Sequence, residues 1–420
     1  MSARSRTARS CHPLRLLLTA GAAALFLSAC NFYNPEYYNP LDPALDAPIE
    51  EVIDQVVNPN LRQAILDTGA TTKFDVGFVS VFAEPVDTLE GIEFFSQIRY
   101  LELNNADIVA LGTDLTVLRD LPELRELNLM ANGYDDTNLD LIPFIGQLTG
   151  LDLGFNDITD AASLVPIIRE YGPDFFIGFG ATLIDADTLG ALTPVLDLLS
   201  ALQAFDLAGD TFMEDLNWLT SNDTIRTLGI SQNPLPEEAY ADLSQLSNLR
   251  RLEIRNWRYT DLTALPALPE LEALIADEGF TVFTSLNGLP PGLREFSVQN
   301  SPSIDSIAAL RDGSSATLNS LDVSGTALTD DDMADLFSLR ELNFLRAGDL
   351  PGLTTIEGIS NLARLDSLQL FNNQLLASGI SEVGQLPNLT FVDFSGSISV
   401  DTTILDQIAA DNPNLTIIYP

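Results

Sequence analysis

Leu124–Tyr134 reads LRELNLMANGY, and Leu148–Ile158 reads LTGLDLGFNDI. In both stretches apolar residues hold the first, fourth, sixth and eleventh places, and asparagine holds the ninth. Alternation across the fourth to sixth places has the two-residue period of a strand, apolar inward and polar outward. The chain is therefore expected to run briefly extended and then turn away. The same template aligns on units beginning at Val76, Ile98, Leu124, Leu148, Asp174, Leu202, Ile225, Leu249, Leu271, Leu293, Leu318, Leu339, Leu365, Leu389 and Leu415, in steps of 21 to 28 residues. No unit of this length buries its apolar side alone, so each needs a neighbour, and stacking supplies a continuous core.

The ninth place lies where the chain leaves the strand. Asn132, Asn156, Asn233 and Asn373 hold it, and an amide there can bond the backbone of the next coil. Thr182, Asp210, Ser301, Thr326 and Ser397 are shorter polar substitutes, while Ala106, Trp257, Gly279 and Ala347 depart from the pattern. The return segments carry helical patterns at Ala162–Tyr171, Thr188–Leu202, Glu237–Leu246, Asp331–Phe337 and Thr403–Ala410. Shorter returns such as Leu262–Leu268 predict tight turns or 3₁₀ segments.

The pattern L-x-x-L-x-L-x-x-N-x-L over roughly residues 70–420 resembles the leucine-rich repeat. NPNLRQAIL from Asn58, followed by VDTLEGIEFFSQIRYLEL from Val86, is similar to the amino-terminal cap and first coil of bacterial internalin-like repeat proteins. The resemblance implies an α/β leucine-rich-repeat solenoid of about 15 coils. A parallel sheet would line its concave face, short helices and 3₁₀ turns its convex face, and a helical cap its amino terminus. The expected divisions are 1–29, 30–48, 49–75 and 76–420: a signal peptide, a tether, the cap and the repeat domain.

The first thirty residues support the signal assignment. Arg4, Arg6, Arg9 and Arg15 precede and border a largely apolar run from Leu16 to Leu27, and Leu27-Ser28-Ala29-Cys30 closes it. A positive start, a short apolar core and small residues before a cut make a secretory signal. The last four residues resemble the bacterial lipobox, which implies cleavage before Cys30 and a lipid on its thiol. The expectation is a bacterial lipoprotein carrying palmitate-type acyl chains, anchored at the cell outer membrane, with its surface or periplasmic orientation open. No second anchor is expected after Pro420.

Removing the four arginines of the signal from 20 basic residues leaves 16 against 60 acidic ones, a formal charge of −44. Nucleic acid demands a basic footprint and is not expected as a partner. Cys11 and His12 depart with the signal, so nothing beyond Cys30 is left for Cys-His or Ser-His-Asp catalysis or for ordinary zinc sites. No cofactor motif is present. The acidic runs Asp135-Asp136 and Asp330-Asp331-Asp332 with Asp335 lack a spaced calcium loop and sit where acids favour a helix start, so no metal is expected. The chain reads as a binding protein, not an enzyme.

Two surfaces stand out. Leu249–Tyr259, LRRLEIRNWRY, gathers Arg250, Arg251, Arg255 and Arg258 with Trp257. Arg251, Glu253 and Arg255 should project from the strand, and arginine and tryptophan are enriched at binding hot spots. Either Arg251, Glu253, Arg255, Trp257 and Arg258 contact a partner, or the arginines neutralise neighbouring acids with Trp257 packed in the turn. Over the earlier repeats, Tyr100, Glu102, Asn128, Asp152, Phe155 and Phe176 should line the concave face, offering aromatics on a polar sheet. The expected function is recognition of a protein or glycan partner, as in adhesion or reception. A periplasmic scaffold is the alternative, and a carboxylate-only polysaccharide enzyme a remoter one. Oligomeric state leaves no trace in the sequence.

Overall fold

In a computed structural model, the residues described are 47–207, 213–219, 222–376, 379–397 and 400–419. The signal segment, Cys30 and nearly all of the tether lie outside them. Fifteen strands form one sheet whose order in space is their order in the chain. They are β1 (Phe78–Phe82), β2 (Tyr100–Asn104), β3 (Glu126–Asn128), β4 (Gly150–Asp152), β5 (Phe175–Gly178), β6 (Leu199–Gln203), β7 (Thr227–Gly229) and β8 (Arg251–Glu253). Then follow β9 (Ala273–Ile275), β10 (Glu295–Ser297), β11 (Ser320–Asp322), β12 (Phe344–Arg346), β13 (Ser367–Gln369), β14 (Phe391–Asp393) and β15 (Thr416–Ile418). All neighbours pair parallel. The fold is a leucine-rich-repeat solenoid.

The repeat explains the stack. The fourth-place residue of each coil points into a core that runs the length of the sheet, and Leu101, Leu127, Leu151, Leu228, Leu252 and Leu321 are buried there. The chain then turns on the eighth place in the left-handed backbone region, at Asn105, Ala131, Phe155, Asn256 and their equivalents. Opposite the sheet lie short helices, such as Val165–Tyr171, Ala308–Ser314 and Thr402–Asp411, and 3₁₀ segments such as Glu237–Gln245. A helix is roughly 10 Å wide while strands sit about 4.8 Å apart, so the sheet takes the inner side of the arc. The amino-terminal cap is a broken helix: 3₁₀ turns at Ile49–Glu51 and Ile53–Gln55, then a helix over Pro59–Asp67 capped by the Asn58 side chain. No helix among the described residues is long and apolar enough to cross a membrane.

Three coils sit in a different register from the sequence alignment. Ile177, Leu202 and Leu228 are partners, so Leu202 is a fourth-place residue and its unit begins at Leu199, not Leu202. Leu321, Leu345 and Leu368 are partners, so that unit begins at Leu342, not Leu339. Ile417 pairs with Val392, which moves the last unit from Leu415 to Asn414. The helical stretch expected over Thr188–Leu202 accordingly ends at Leu198, where β6 begins. With these corrections the step between strand centres narrows to between 22 residues (Val79 to Leu101) and 26 (Leu101 to Leu127). Leu207 and Leu350 become the ninth-place residues in place of Asp210, which lies outside the described residues, and Ala347.

The ninth-place asparagines reach back to the preceding coil, not forward to the next. Asn132 accepts from the Ala106 and Ile108 N–H groups at 3.0 and 3.2 Å and donates to the Leu103 carbonyl at 2.6 Å. Asn156 accepts from Asn132 and Tyr134 and donates to Leu129. Asn233 and Asn373 repeat the arrangement against Leu207 and Leu350. Ser301 and Ser397 still reach across, accepting from Gly279 and Asn373. Thr182 and Thr326 instead donate to carbonyls three residues back in their own coils, Phe179 and Val323.

The acidic runs are occupied within the fold. Asp136 accepts from Thr159 and Asp160, Asp330 from Thr354 and Thr355, and Asp332 closes a capping box with Thr329. Asp335 pairs with Arg311 at 2.6 Å.

Candidate binding surface

Each coil presents its third, fifth and seventh places to the open face of the sheet. In register across β3 to β6, the third places are Glu126, Gly150, Phe176 and Ala201, and the fifth are Asn128, Asp152, Gly178 and Gln203. The seventh places are Met130, Gly154, Gly180 and Phe205. Four glycines in adjoining positions make room that neighbouring side chains fill, and all four are buried. A Cβ on Gly150 would meet the Phe176 ring at 3.0 Å; on Gly178, the Asp152 carboxylate at 2.8 Å; on Gly180, the Phe205 ring at 2.2 Å. Phe155 lies edge-on to Phe205, 6.2 Å between centroids. It is 48% exposed and adopts φ +57°, a left-handed conformation that costs an ordinary side chain about 1–2 kcal/mol.

Beside these rings three carboxylates stand on consecutive strands. Asp152 is 8% exposed, and its Oδ1 accepts the Gly154 N–H at 2.9 Å. Burial pushes its carboxyl up to about 6. Burial, then the charges of Asp152 and Glu102, pushes Glu126 up to about 7. Burial also raises Glu102, against a 2.8 Å hydrogen bond donated by the Ser80 hydroxyl. Among the described residues no arginine or lysine forms an ion pair with any of the three.

From β8 to β12 every buried or half-buried carboxylate on the face has an arginine. Arg251 bridges Glu253 at 2.9 Å and Glu295 at 2.7 Å. Arg255 stands 3.8 Å from Asp277, whose other oxygen accepts from the Ser297 hydroxyl and, at 2.9 Å, from the Gln299 N–H. Arg346 pairs with Asp322 at 3.2 Å, donates to Gln299 at 3.1 Å and lies 4.9 Å over the Phe371 ring. Burial still raises Asp277, to about 6, and Asp322, with the facing arginine opposing the rise in each.

These geometries sort the residues singled out by sequence. Arg251, Glu253 and Arg255 do project onto the open face, and there they serve one another and neighbouring strands. Trp257 is not a surface contact: it is 1% exposed, donates its indole N–H to the Asp261 carbonyl at 2.7 Å and packs against Tyr240 and Tyr259. From Ala106 to Ser397 the ninth place turns inward whatever residue holds it, whereas Glu84 in the first coil is exposed. Arg258 is exposed beside the sheet in the turn, 5.3 Å over Phe280. Tyr100, Glu102, Asn128, Asp152 and Phe176 lie on the strands of the open face, with Phe155 at its edge, while Phe175, Ile177 and Phe179 are core. Phe205 and Arg346 escaped the sequence reading because the slipped registers put them at inward or turn places. A template anchored on regular spacing would have found both.

No protein-family model and no curated protein matches the chain. Among solved structures, an internalin from Listeria monocytogenes is 19% identical, with 89% of this chain and 97% of that one covered and a TM-score of 0.43. The protein in a TLR13–ssRNA13 complex is 18% identical, with 87% and 51% covered and a TM-score of 0.48. A leucine-rich-repeat protein from Leptospira interrogans is 16% identical, with 86% and 99% covered and a TM-score of 0.35.

Proposed function

We propose that this protein is a lipid-anchored cell-envelope receptor or adhesin that holds a protein or glycan partner on the open face of its sheet and performs no catalysis. The observation that carries the reading is the β3–β6 stretch. Glycines make room over the strands, phenylalanine rings lie in it, and Phe155 stays half in solvent at the turn. Exposed aromatics held rigidly by a sheet are efficient contact groups because little side-chain entropy is lost on binding. The lipobox-like Leu27–Cys30 supports an acyl anchor on Cys30, and the absence of histidine and cysteine from residues 31–420 supports binding over chemistry.

The test is proteolysis of intact producing cells, with palmitate labelling of the native chain and of Cys30→Ala. Loss of the repeat domain to external protease, with label lost in Cys30→Ala, supports surface display. Digestion only after the outer membrane is opened replaces this reading with a periplasmic scaffold. Label retained in Cys30→Ala refutes the anchor.

A further inference from the structure

The two halves of the open face treat buried charge differently. From β8 to β12 each buried acid meets an arginine of the same chain. From β2 to β4 the half-buried Glu102 and Glu126 and the buried Asp152 stand close together without one, although burying an uncompensated carboxylate is costly. The Asn104 side-chain oxygen, on the same face of β2 two residues beyond Glu102, is also buried without a donor, in a residue 8% exposed. This surface has surplus acceptors and lacks donors and positive charge. The rings of Phe155, Phe176 and Phe205 border it, and aromatic faces attract cations.

We propose that the β2–β6 stretch receives a cationic segment of a partner protein, with arginine or lysine side chains over Asp152 and Glu126 and against the phenylalanine rings. This rests on the reading of the open face as the recognition surface and specifies the partner's chemistry. A guanidinium supplies both the charge and the planar donors that the face lacks, as Arg251 and Arg346 do within the chain further along. A neutral glycan would satisfy acceptors but leave the charge.

The probe is acetylated, amidated tetra-arginine bearing a photoreactive group, titrated against the full chain and mapped by crosslinking. Glu126→Gln with Asp152→Asn should weaken binding roughly tenfold or more, and so should Phe155→Ala, whose exposed side chain leaves folding intact. Glu50→Gln with Glu51→Gln, exposed acids of the cap, removes the same charge and should leave affinity unchanged. Equal losses in the two double variants, or none in either, would overturn the proposal. Crosslinks on β11–β14 would overturn it while leaving recognition by the open face intact. Crosslinks confined to the helical side would sink both. Displacement of the probe by a neutral hexasaccharide at matched concentration would assign the stretch to a glycan instead.

Discussion

Asp152→Asn should stabilise the protein, and only at the higher pH values. The native carboxyl titrates near 6 against an ordinary value of 3.8. A raised carboxyl binds its proton more tightly in the folded than in the unfolded chain. Ionisation therefore penalises the native state; the penalty is absent below about pH 4 and complete above about pH 6. At roughly 1.4 kcal/mol per unit, the shift corresponds to a ceiling of about 3 kcal/mol. Asparagine keeps the shape and can still accept the Gly154 N–H, so it removes the penalty with little else. The expected gain is about 1–3 kcal/mol at pH 8 and near zero at pH 4. Because Asp152 is among the charges that raise Glu126, the carboxyl of Glu126 should also fall toward its usual range in this variant. Urea midpoints followed by Trp218 and Trp257 fluorescence at the two pH values measure the first effect, and carboxyl NMR titration the second. Exposed Asp140→Asn is the control. Destabilisation by Asp152→Asn at pH 8, or equal effects at both pH values, would show that Asp152 is already paired in the native protein and that the surface has no surplus charge.

Other outcomes follow from the same contacts. Asn156→Ala strips partners from the buried Asn132 and Tyr134 N–H groups and should cost about 3–5 kcal/mol in urea unfolding, at about 1–3 kcal/mol for each orphaned group. Trp257→Ala should cost about 3–5 kcal/mol as a core cavity, whereas exposed Arg258→Ala should stay within about 0.5 kcal/mol; similar values for both would place Trp257 at the surface. Arg251→Ala leaves Glu253 and Glu295 uncompensated and should cost about 2–3 kcal/mol, with part restored by adding Glu253→Gln in a double-mutant cycle. Gly180→Ala should destabilise by about 1–3 kcal/mol through its clash with the Phe205 ring, and Phe205→Ala in the same chain should relieve it.

The solenoid was legible because its driving pattern is periodic and local. Leucine at fixed places specifies strand, turn and core face without knowledge of distant contacts. The register failed at two internal coils for an identifiable reason. Leu199, Leu202 and Phe205, like Leu339, Leu342 and Leu345, put apolar residues three apart, so L-x-x-L-x-L fits in more than one phase. Neither coil has the ninth-place asparagine that would fix it. That slip hid Phe205, a ring beside Phe155, and Arg346, the partner of Asp322. Residue type misled at Trp257, since its place in the coil, not its identity, decides that it packs inward. The pairing of Arg251 with Glu295 spans 44 residues and two strand steps, and only the cross-strand register reveals it.

The backward reach of the asparagines governs how the stack is held together. Coils headed by Asn132, Asn156, Asn233 and Asn373 are sewn to the coil before along the inner edge of the turn. Those headed by Thr182, Leu207, Trp257, Gly279, Thr326 and Leu350 are not. At several of these open seams the outer face is laced instead: Phe176 and Phe205 overlap the glycines of the coil before, Arg255 crosses to Asp277, and Arg346 crosses to Asp322. The lacing lies on the surface offered to a partner. A ligand that recruited Arg255 or Arg346 would untie a seam, whereas one seated over Asp152 would leave those arginine seams closed. Pulled along its axis, this protein should therefore come apart in blocks, and occupancy of the arginine-laced half of the face should lower its mechanical strength.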